Sequence, residues 1–324
     1  MTIDFIQEIK IENYKCFNNF KADSFKRVNL IGGRNNVGKT SFLEACLLCM
    51  VDEHSSIYSR LLEIQTHRNL VNTVLRRQDR REDLKNLILD NQNISITING
   101  DKNLYIKNEN DKYKIKPPFS ASKEMDYSLL FNTLDVNIDY SYIAFSSNYI
   151  SPFSDFNDSY NMGISSLKLE GQLKTLNRYL KLLFNINELD YINNQPQLLT
   201  DRWKELSLHG QGIKTFINIM ISMLILKNRT LFIDEIENGI HYSLFDKMWE
   251  IILKISKDRG VQIFATTHSK ECIESYNKIS KELEDNDISF INLSRNKKDK
   301  IVAITLDSGM FRSEIVQNHE VRAW

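Results

Sequence analysis

Net charge is missing from this 324-residue chain: 42 Lys and Arg stand against 42 Asp and Glu. That balance excludes a uniformly basic nucleic-acid coat protein and a supercharged tail protein. Long hydrophobic runs are missing too. The longest apolar-rich stretch, 216–226, has eleven residues, is interrupted by Asn218 and Ser222, and is flanked by Lys214 and Lys227. A membrane span needs about 20 apolar residues, so the stretch reads as a buried helix. The N-terminal segment MTIDFIQEIKIENYK carries scattered charge and no apolar core, so no secretory signal is visible. A cytoplasmic location with no membrane partner is expected. Cysteine is sparse, with four in all: Cys16, Cys46, Cys49 and Cys272. Cys46 and Cys49 have C-x-x-C spacing, but no second pair at ligand spacing accompanies them, which excludes a zinc ribbon. They lie in the apolar segment FLEACLLCM and read as reduced core thiols. His54, His67 and His319 have no motif around them. No internal repeat, low-complexity tract or sustained heptad is present.

Glycine is scarce as well, at 11 residues. Six of them, Gly32, Gly33, Gly38, Gly210, Gly212 and Gly239, fall in three short segments that also hold charged or hydroxyl residues. Glycine so placed marks backbone that takes positive φ or approaches a ligand closely.

The first 31 residues alternate like strands, with a turn near Asn18 and Asn19 and a buried strand over 28–31. Residues 40–51 predict a helix, and 55–90 a charged helical segment. Residues 94–98 and 104–106, around Asn99-Gly100, predict a hairpin. Pro117 and Pro118 punctuate, and 142–145 reads as a strand. A polar loop follows over 146–165, then an amphipathic helix over 167–183 and the apolar helix over 213–226. Short buried strands are expected at 231–233 and 261–265, with a helix over 243–256 between them. Late edge strands are expected at 288–293 and 301–306.

Gly33-Arg34-Asn35-Asn36-Val37-Gly38-Lys39-Thr40 matches G-x-x-x-x-G-K-[ST] between a predicted strand and a predicted helix. Backbone N–H groups of such a loop point at phosphates, and the helix dipole favours the anion. Lys39 supplies a point charge to the outer phosphates. Thr40, or beside it Ser41, offers a hydroxyl to Mg²⁺. The segment Leu231-Phe-Ile-Asp-Glu235 is an apolar strand ending in two carboxylates, expected beside the loop strand. Asp234 would hold Mg²⁺, and Glu235 would orient and deprotonate the attacking water. The strand at 261–265 ends in Thr266-Thr267-His268-Ser269. His268 has two readings: a contact to the terminal phosphate, or a turn residue at a helix N-cap before Glu271.

Taken in order, the loop, Leu206-Ser207 with Gly210-Gln211-Gly212, LFIDE, ENGIH and TTHS resemble ABC-type ATPases. More narrowly they are similar to the OLD (overcoming lysogenization defect) group, whose members include subunits of anti-phage defence systems. The resemblance covers 1–50 and 200–275, with 51–200 alike only in general layout. It implies an α/β P-loop NTPase fold: an ABC-type ATPase head from 1–50 and 200–324, with a mixed strand and helical insertion over 51–199. It implies ATP and Mg²⁺ as ligands. Residues 13–17 (NYKCF) resemble the opening turn near the adenine. Gly33, Arg34, Asn35, Asn36, Val37, Gly38, Lys39, Thr40 and Ser41 correspond to the Walker A loop. Asp234 and Glu235 correspond to Walker B and the catalytic base. Ser207, Gly210, Gln211 and Gly212 resemble the signature segment, which contacts the phosphate held by the opposite subunit. Asn238, Gly239 and His241 correspond to the D-loop, and His268 to the switch histidine. The usual Leu-Ser-Gly-Gly-Gln reads here Leu206-Ser-Leu-His-Gly-Gln-Gly212, and no Q-loop glutamine stands near 142–147. His209 is expected at an interface or surface.

Lys39 and Asp234 are 195 residues apart, too close for SMC-like coiled-coil arms. Only 55 residues follow Ser269, too few for the TOPRIM nuclease many OLD proteins carry. The one D-x-D there, Asp285-Asn-Asp287, precedes a strand instead of ending one. The expected protein is an ATPase that forms a homodimer or higher oligomer and works with a separate effector, a nuclease or toxin. A RecF-like repair ATPase and an ATP-gated scaffold without nucleic-acid contact remain as alternatives. Arg60, Arg68, Arg76, Arg77, Arg80 and Arg81 form a local basic patch that fits either DNA or RNA phosphates or a solvated helix face.

Overall fold

The computed structural model describes residues 5–50, 64, 93–109, 112–116, 125–126, 149–151, 160–226 and 229–316. The helical segment 55–90 with its arginine patch (Ile64 excepted), the strand 142–145, the Q-loop region and His54, His67 and His319 lie outside them.

The chain opens with β1 (Glu8–Tyr14) and β2 (Phe17–Asp23), an antiparallel pair in register Ile11 to Phe20. The sharp reversal sits at 15–16, not at Asn18 and Asn19, which lie inside β2. Asn13 and Lys15 take positive φ (56° and 51°) and make the bend. β1 also pairs with β4 (Ile94–Ile98). β5 (Lys102–Glu109), β6 (Lys112–Lys116) and β7 (Met125–Asp126) then extend one antiparallel sheet in the order β2-β1-β4-β5-β6-β7. The hairpin turns at Asn99 and Gly100, both at positive φ.

The second sheet is built around β3 (Val28–Gly33). With β8 (Tyr149–Ile150), β12 (Thr230–Ile233), β13 (Gln262–Thr266), β14 (Ile288–Arg295) and β15 (Ile301–Asp307), its order is β15-β14-β3-β13-β12-β8. Every pair in it is parallel except β14 with β15. Apart from the rim strand β15, its strands are largely buried on both faces, as parallel strands usually are. Leu231, Ile233, Ile263 and Ala265 face one core, and Phe232 and Phe264 face the other.

Two expectations are corrected by this order. The acidic strand β12 does not adjoin β3, because β13 lies between them. Of the late strands only β15 is at the rim, since β14 pairs with β3 over its length.

Helix α1 (Lys39–Cys49) fills the space between the two sheets, which explains why FLEACLLC is apolar all round but for Glu44. Cys46 and Cys49 are buried free thiols there. The opposite face of the parallel sheet is covered by α2 (Tyr160–Leu169), α3 (Leu173–Phe184), α4 (Gln211–Ile225), α5 (Phe245–Arg259) and α6 (Lys270–Glu282). The single helix expected over 167–183 is therefore two helices, broken where Gly171 takes φ 68°. Part of the polar loop expected over 146–165 is already strand β8 and helix α2. A small antiparallel sheet, β9 (Glu188–Ile192), β10 (Gln195–Leu199) and β11 (Trp203–Glu205), leads into α4. α7 (Ser308–Val316) closes the described chain against β14 and β15.

Asp285 and Asp287 are structural: both pair with Arg27 at the start of β3, and Arg27 and Asp285 are buried. Among the described residues no helix is long and apolar enough to cross a membrane.

Candidate active site

β3, β12 and β13 end at the same edge of the parallel sheet, so their carboxyl-terminal loops meet there. A cavity of about 940 Å³ opens between these ends, the turn at 15–16 and the start of α1. It is lined by Asn35, Asn36, Gly38, Lys39, Thr40 and Ser41 of the loop, and by Glu235, Glu237 and His268 across from it.

The loop leaves β3 through Gly33 and reaches α1 through Asn36 at φ 60° and Gly38 at φ 100°. A Cβ on Gly38 would fall 2.6 Å from Cys16 Sγ, so the loop can turn here only with glycine. Val37 points inward to the α1 core. Lys39 Nζ donates to the carbonyls of Gly33 (2.9 Å) and Arg34 (3.0 Å) and lies 3.3 Å from His268 Nδ1. Burial holds its ammonium down to about 8, against the opposing pull of Asp234, Glu237 and Glu235.

Thr40 Oγ1 donates to Asp234 Oδ2 at 2.8 Å. Thr266, at the end of β13, donates from Oγ1 to Asp234 Oδ1 (2.5 Å) and accepts from the Glu235 N–H (2.8 Å). Thr266 thus spans the gap between β3 and β12, which is how a carboxylate two strands away reaches the loop. Glu235 takes φ 53°, and its Oε1 is 4.0 Å from His268 Nε2. Burial, then Asp234 and Glu237, raise its carboxyl above the usual range. Thr40 Oγ1 and the nearly buried Asp234 carboxylate form a hard oxygen donor pair, the chemistry Mg²⁺ takes. No group of three or more His, Cys, Asp or Glu fit for a metal occurs among the described residues. Such a pair suits an ion that keeps waters and substrate phosphate as its other ligands.

The turn reading of His268 is met by its surroundings, and its ring is turned toward the cavity. It faces Lys39 and Glu235, and Ser269 beside it caps α6, its Oγ accepting from the Cys272 N–H at 3.0 Å.

The remaining candidates stand apart from the cavity lining. Ser207 lies in a short turn and donates to Glu205 (3.1 Å). Gly210 is the N-cap of α4, and Gln211 begins it. Gly212 packs directly on the backbone of Gly239, which takes φ 72°, leaving no room for a Cβ at either. His241 accepts from Ser243 and stacks on exposed Tyr242 (4.4 Å), beside Asn238 and Gly239. His209 is half-buried, its Nε2 shielded and without a hydrogen-bond partner.

Sequence reasoning gave four contributors no role of their own. Thr266 was visible only as part of a strand end. Glu237 was read only as part of its motif. Lys15 lines the cavity and pairs with Glu44 of α1, both nearly buried. The signal for that pair was an acid inside an otherwise apolar helix. Tyr149 of β8, whose hydroxyl lies 3.5 Å from Asp234, gave no signal.

A family model described as "AAA domain, putative AbiEii toxin, Type IV TA system" matches residues 28–274. An ATP/GTP phosphatase of Helicobacter pylori is 27% identical over 336 residues, covering 86% of this chain and 89% of that one. The structural maintenance of chromosomes protein 6 of Dictyostelium discoideum is 27% identical over 143 residues, 41% of this chain and 11% of that one. Among solved structures, an Smc head bound to the C-terminal winged-helix domain of ScpA aligns with a TM-score of 0.53 at 13% identity, covering 94% and 98% of the two chains. An Smc head from Pyrococcus furiosus, with an extended coiled coil and bound to the C-terminal domain of ScpA, aligns at 0.52 and 11% identity, covering 97% and 100%.

Proposed function

The chain belongs to the AAA-domain family matched over 28–274 and is a P-loop ATPase with the ABC-type fold of SMC heads, and from that premise we propose that two copies close around ATP and act as the sensor of a defence system. The observation that carries the reading is the convergence of Lys39, Thr40, Glu235 and His268 on one cavity, with Asp234 bonded to Thr40 behind it, while Ser207, Gly210, Gln211 and Gly212 are not part of its lining. That segment lies outside the cavity lining, which supports the reading that it serves the site of another copy.

Within the site, Lys39 and the loop N–H groups bind the phosphates. Thr40 and Asp234 would hold Mg²⁺, which when bound would supply Lewis-acid polarisation of phosphate oxygen. Glu235 accepts the proton of the attacking water, its raised carboxyl suited to a base. His268 senses the terminal phosphate. Asn238, Gly239 and His241 lie at the dimer interface. The head is 1–50 with 200–324, and 51–199 is the insertion. Hydrolysis loosens the pair and changes its hold on a separate effector, a nuclease or toxin, in the cytoplasm. The toxin–antitoxin description of the family supports this role. A second reading, a DNA-binding repair ATPase, draws on the local match to the chromosome-maintenance protein and on the arginine patch at 60–81.

Glu235→Gln should cut hydrolysis about 100-fold or more while ATP is retained, as expected for loss of a general base. Light scattering should then find an ATP-dependent dimer. Normal turnover by Glu235→Gln would end the base assignment, and a monomer at saturating ATP would end the composite site. ATP-dependent duplex DNA binding by the isolated protein would favour the repair reading.

A further inference from the structure

Glu237 lines the cavity, yet the roles given above make no use of it. Its Oε1 accepts two backbone hydrogen bonds, from the N–H of His268 (2.6 Å) and of Ser269 (3.2 Å). Its Oε2 is shielded from solvent and has no partner. A shielded carboxylate oxygen without a donor costs stability, so folding alone gives no reason for an acid here.

The two N–H groups lie just before α6, in the segment that carries the His268 ring. That ring stands 3.3 Å from Lys39 Nζ and 4.0 Å from Glu235 Oε1. Where the ring sits depends on where its backbone is held, and the Glu237 side chain is what reaches across from the other strand end to hold it. The same residue opens the turn closed by the Ile240 N–H donating to its carbonyl (3.0 Å). In that turn Gly239 presses on Gly212 at the start of α4. Glu237 therefore stands between the histidine and the segment expected to serve the second copy.

We propose that Glu237 is a positioning residue for ATP hydrolysis: it fixes the backbone at His268 and Ser269 so that the His268 ring meets Lys39 and Glu235, and it does not touch the reacting atoms. The proposal rests on the reading of Glu235 and His268 given above. Misplacement of a catalytic group by about 1 Å can cost about 100-fold in rate. The expected loss in kcat for Glu237→Ala is therefore about 10- to 100-fold, with KM for ATP within about twofold of wild type. Glu237→Gln keeps an accepting oxygen and should recover most of the rate. In a His268→Ala background, adding Glu237→Ala should slow turnover by less than about twofold further, because the two act as a unit.

Steady-state ATPase kinetics on the full chain test this, with thermal unfolding as the check on folding. Wild-type kcat in Glu237→Ala, a loss carried by KM alone, a Gln variant as slow as Ala, or fully multiplicative losses in the double variant would each overturn it. If Glu237→Ala does not fold, Glu237→Asp keeps the charge and draws the acceptor back by one methylene. It should lower kcat without changing KM, and wild-type kcat there would overturn the proposal. Glu235→Gln and His268→Ala run alongside. If both turn over normally, the reading of the site has failed. If both are slow and Glu237→Ala is not, only the positioning role has failed.

Discussion

Lys39 is the residue through which pH should act. Burial holds its amine down to about 8, against the ordinary 10.5. Between those values the folded chain binds fewer protons than the unfolded chain, so folded stability rises with pH across that window. Affinity for a polyphosphate runs the other way, because it needs the ammonium. ATP binding at a pH just above 8 should therefore take up a proton, read by calorimetry in buffers of different ionisation enthalpy. No uptake would show that Lys39 is already fully charged. Lys39→Ala should abolish ATP binding in the same experiment. The loop itself was legible because its chemistry is local: eight consecutive residues hold the glycines, the lysine and the hydroxyl. Thr266 and the Lys15–Glu44 pair were not, because each has its meaning only in a partner 29 to 32 residues away. Asp234 stood out in the sequence as an acid at the end of an apolar strand, but the Thr266 hydroxyl that bonds it from the neighbouring strand did not.

Among the elements, α4 and the turn at 237–240 meet backbone to backbone. A methyl on Gly212 has no room against Gly239, whereas one on Gly210 meets nothing within 4 Å. Gly212→Ala should destabilise the fold by about 1–3 kcal/mol, the usual cost of overpacking. Gly210→Ala should stay within about 0.5 kcal/mol, as surface changes do. Urea denaturation of the two variants decides it, and equal midpoints would mean that the contact yields. Strands and helices of this chain were mostly readable from period and apolar runs. Their neighbours were not. Nothing in LFIDE says that β13 lies between it and the loop strand, because a strand buried on both faces shows the same pattern wherever it sits in the sheet. The break between α2 and α3 was missed for a related reason: the apolar period runs on through Gly171.

At the scale of the molecule, the start of β3 is tied to the far end of the chain. Arg27 pairs with buried Asp285 and bonds Ser256 and the Leu253 carbonyl of α5. Asp285→Ala would strand that guanidinium and should cost about 3–5 kcal/mol, measured by thermal or urea unfolding. A loss under 1 kcal/mol would show that the charge relaxes to solvent. The same arrangement has a consequence during synthesis. β3 and the phosphate loop are made within the first 41 residues, but β3 pairs with strands that begin at Gln262 and Ile288. At about 5–20 residues per second, the loop strand waits roughly 10–50 s on the ribosome for its neighbours. Nascent chains stalled before residue 262 has left the exit tunnel should fail to be captured on immobilised ATP, and chains stalled after residue 295 has emerged should be held. On that expectation nucleotide does not steady a half-made copy, and until its neighbouring strands arrive β3 has only α1 and the N-terminal strands to pack against.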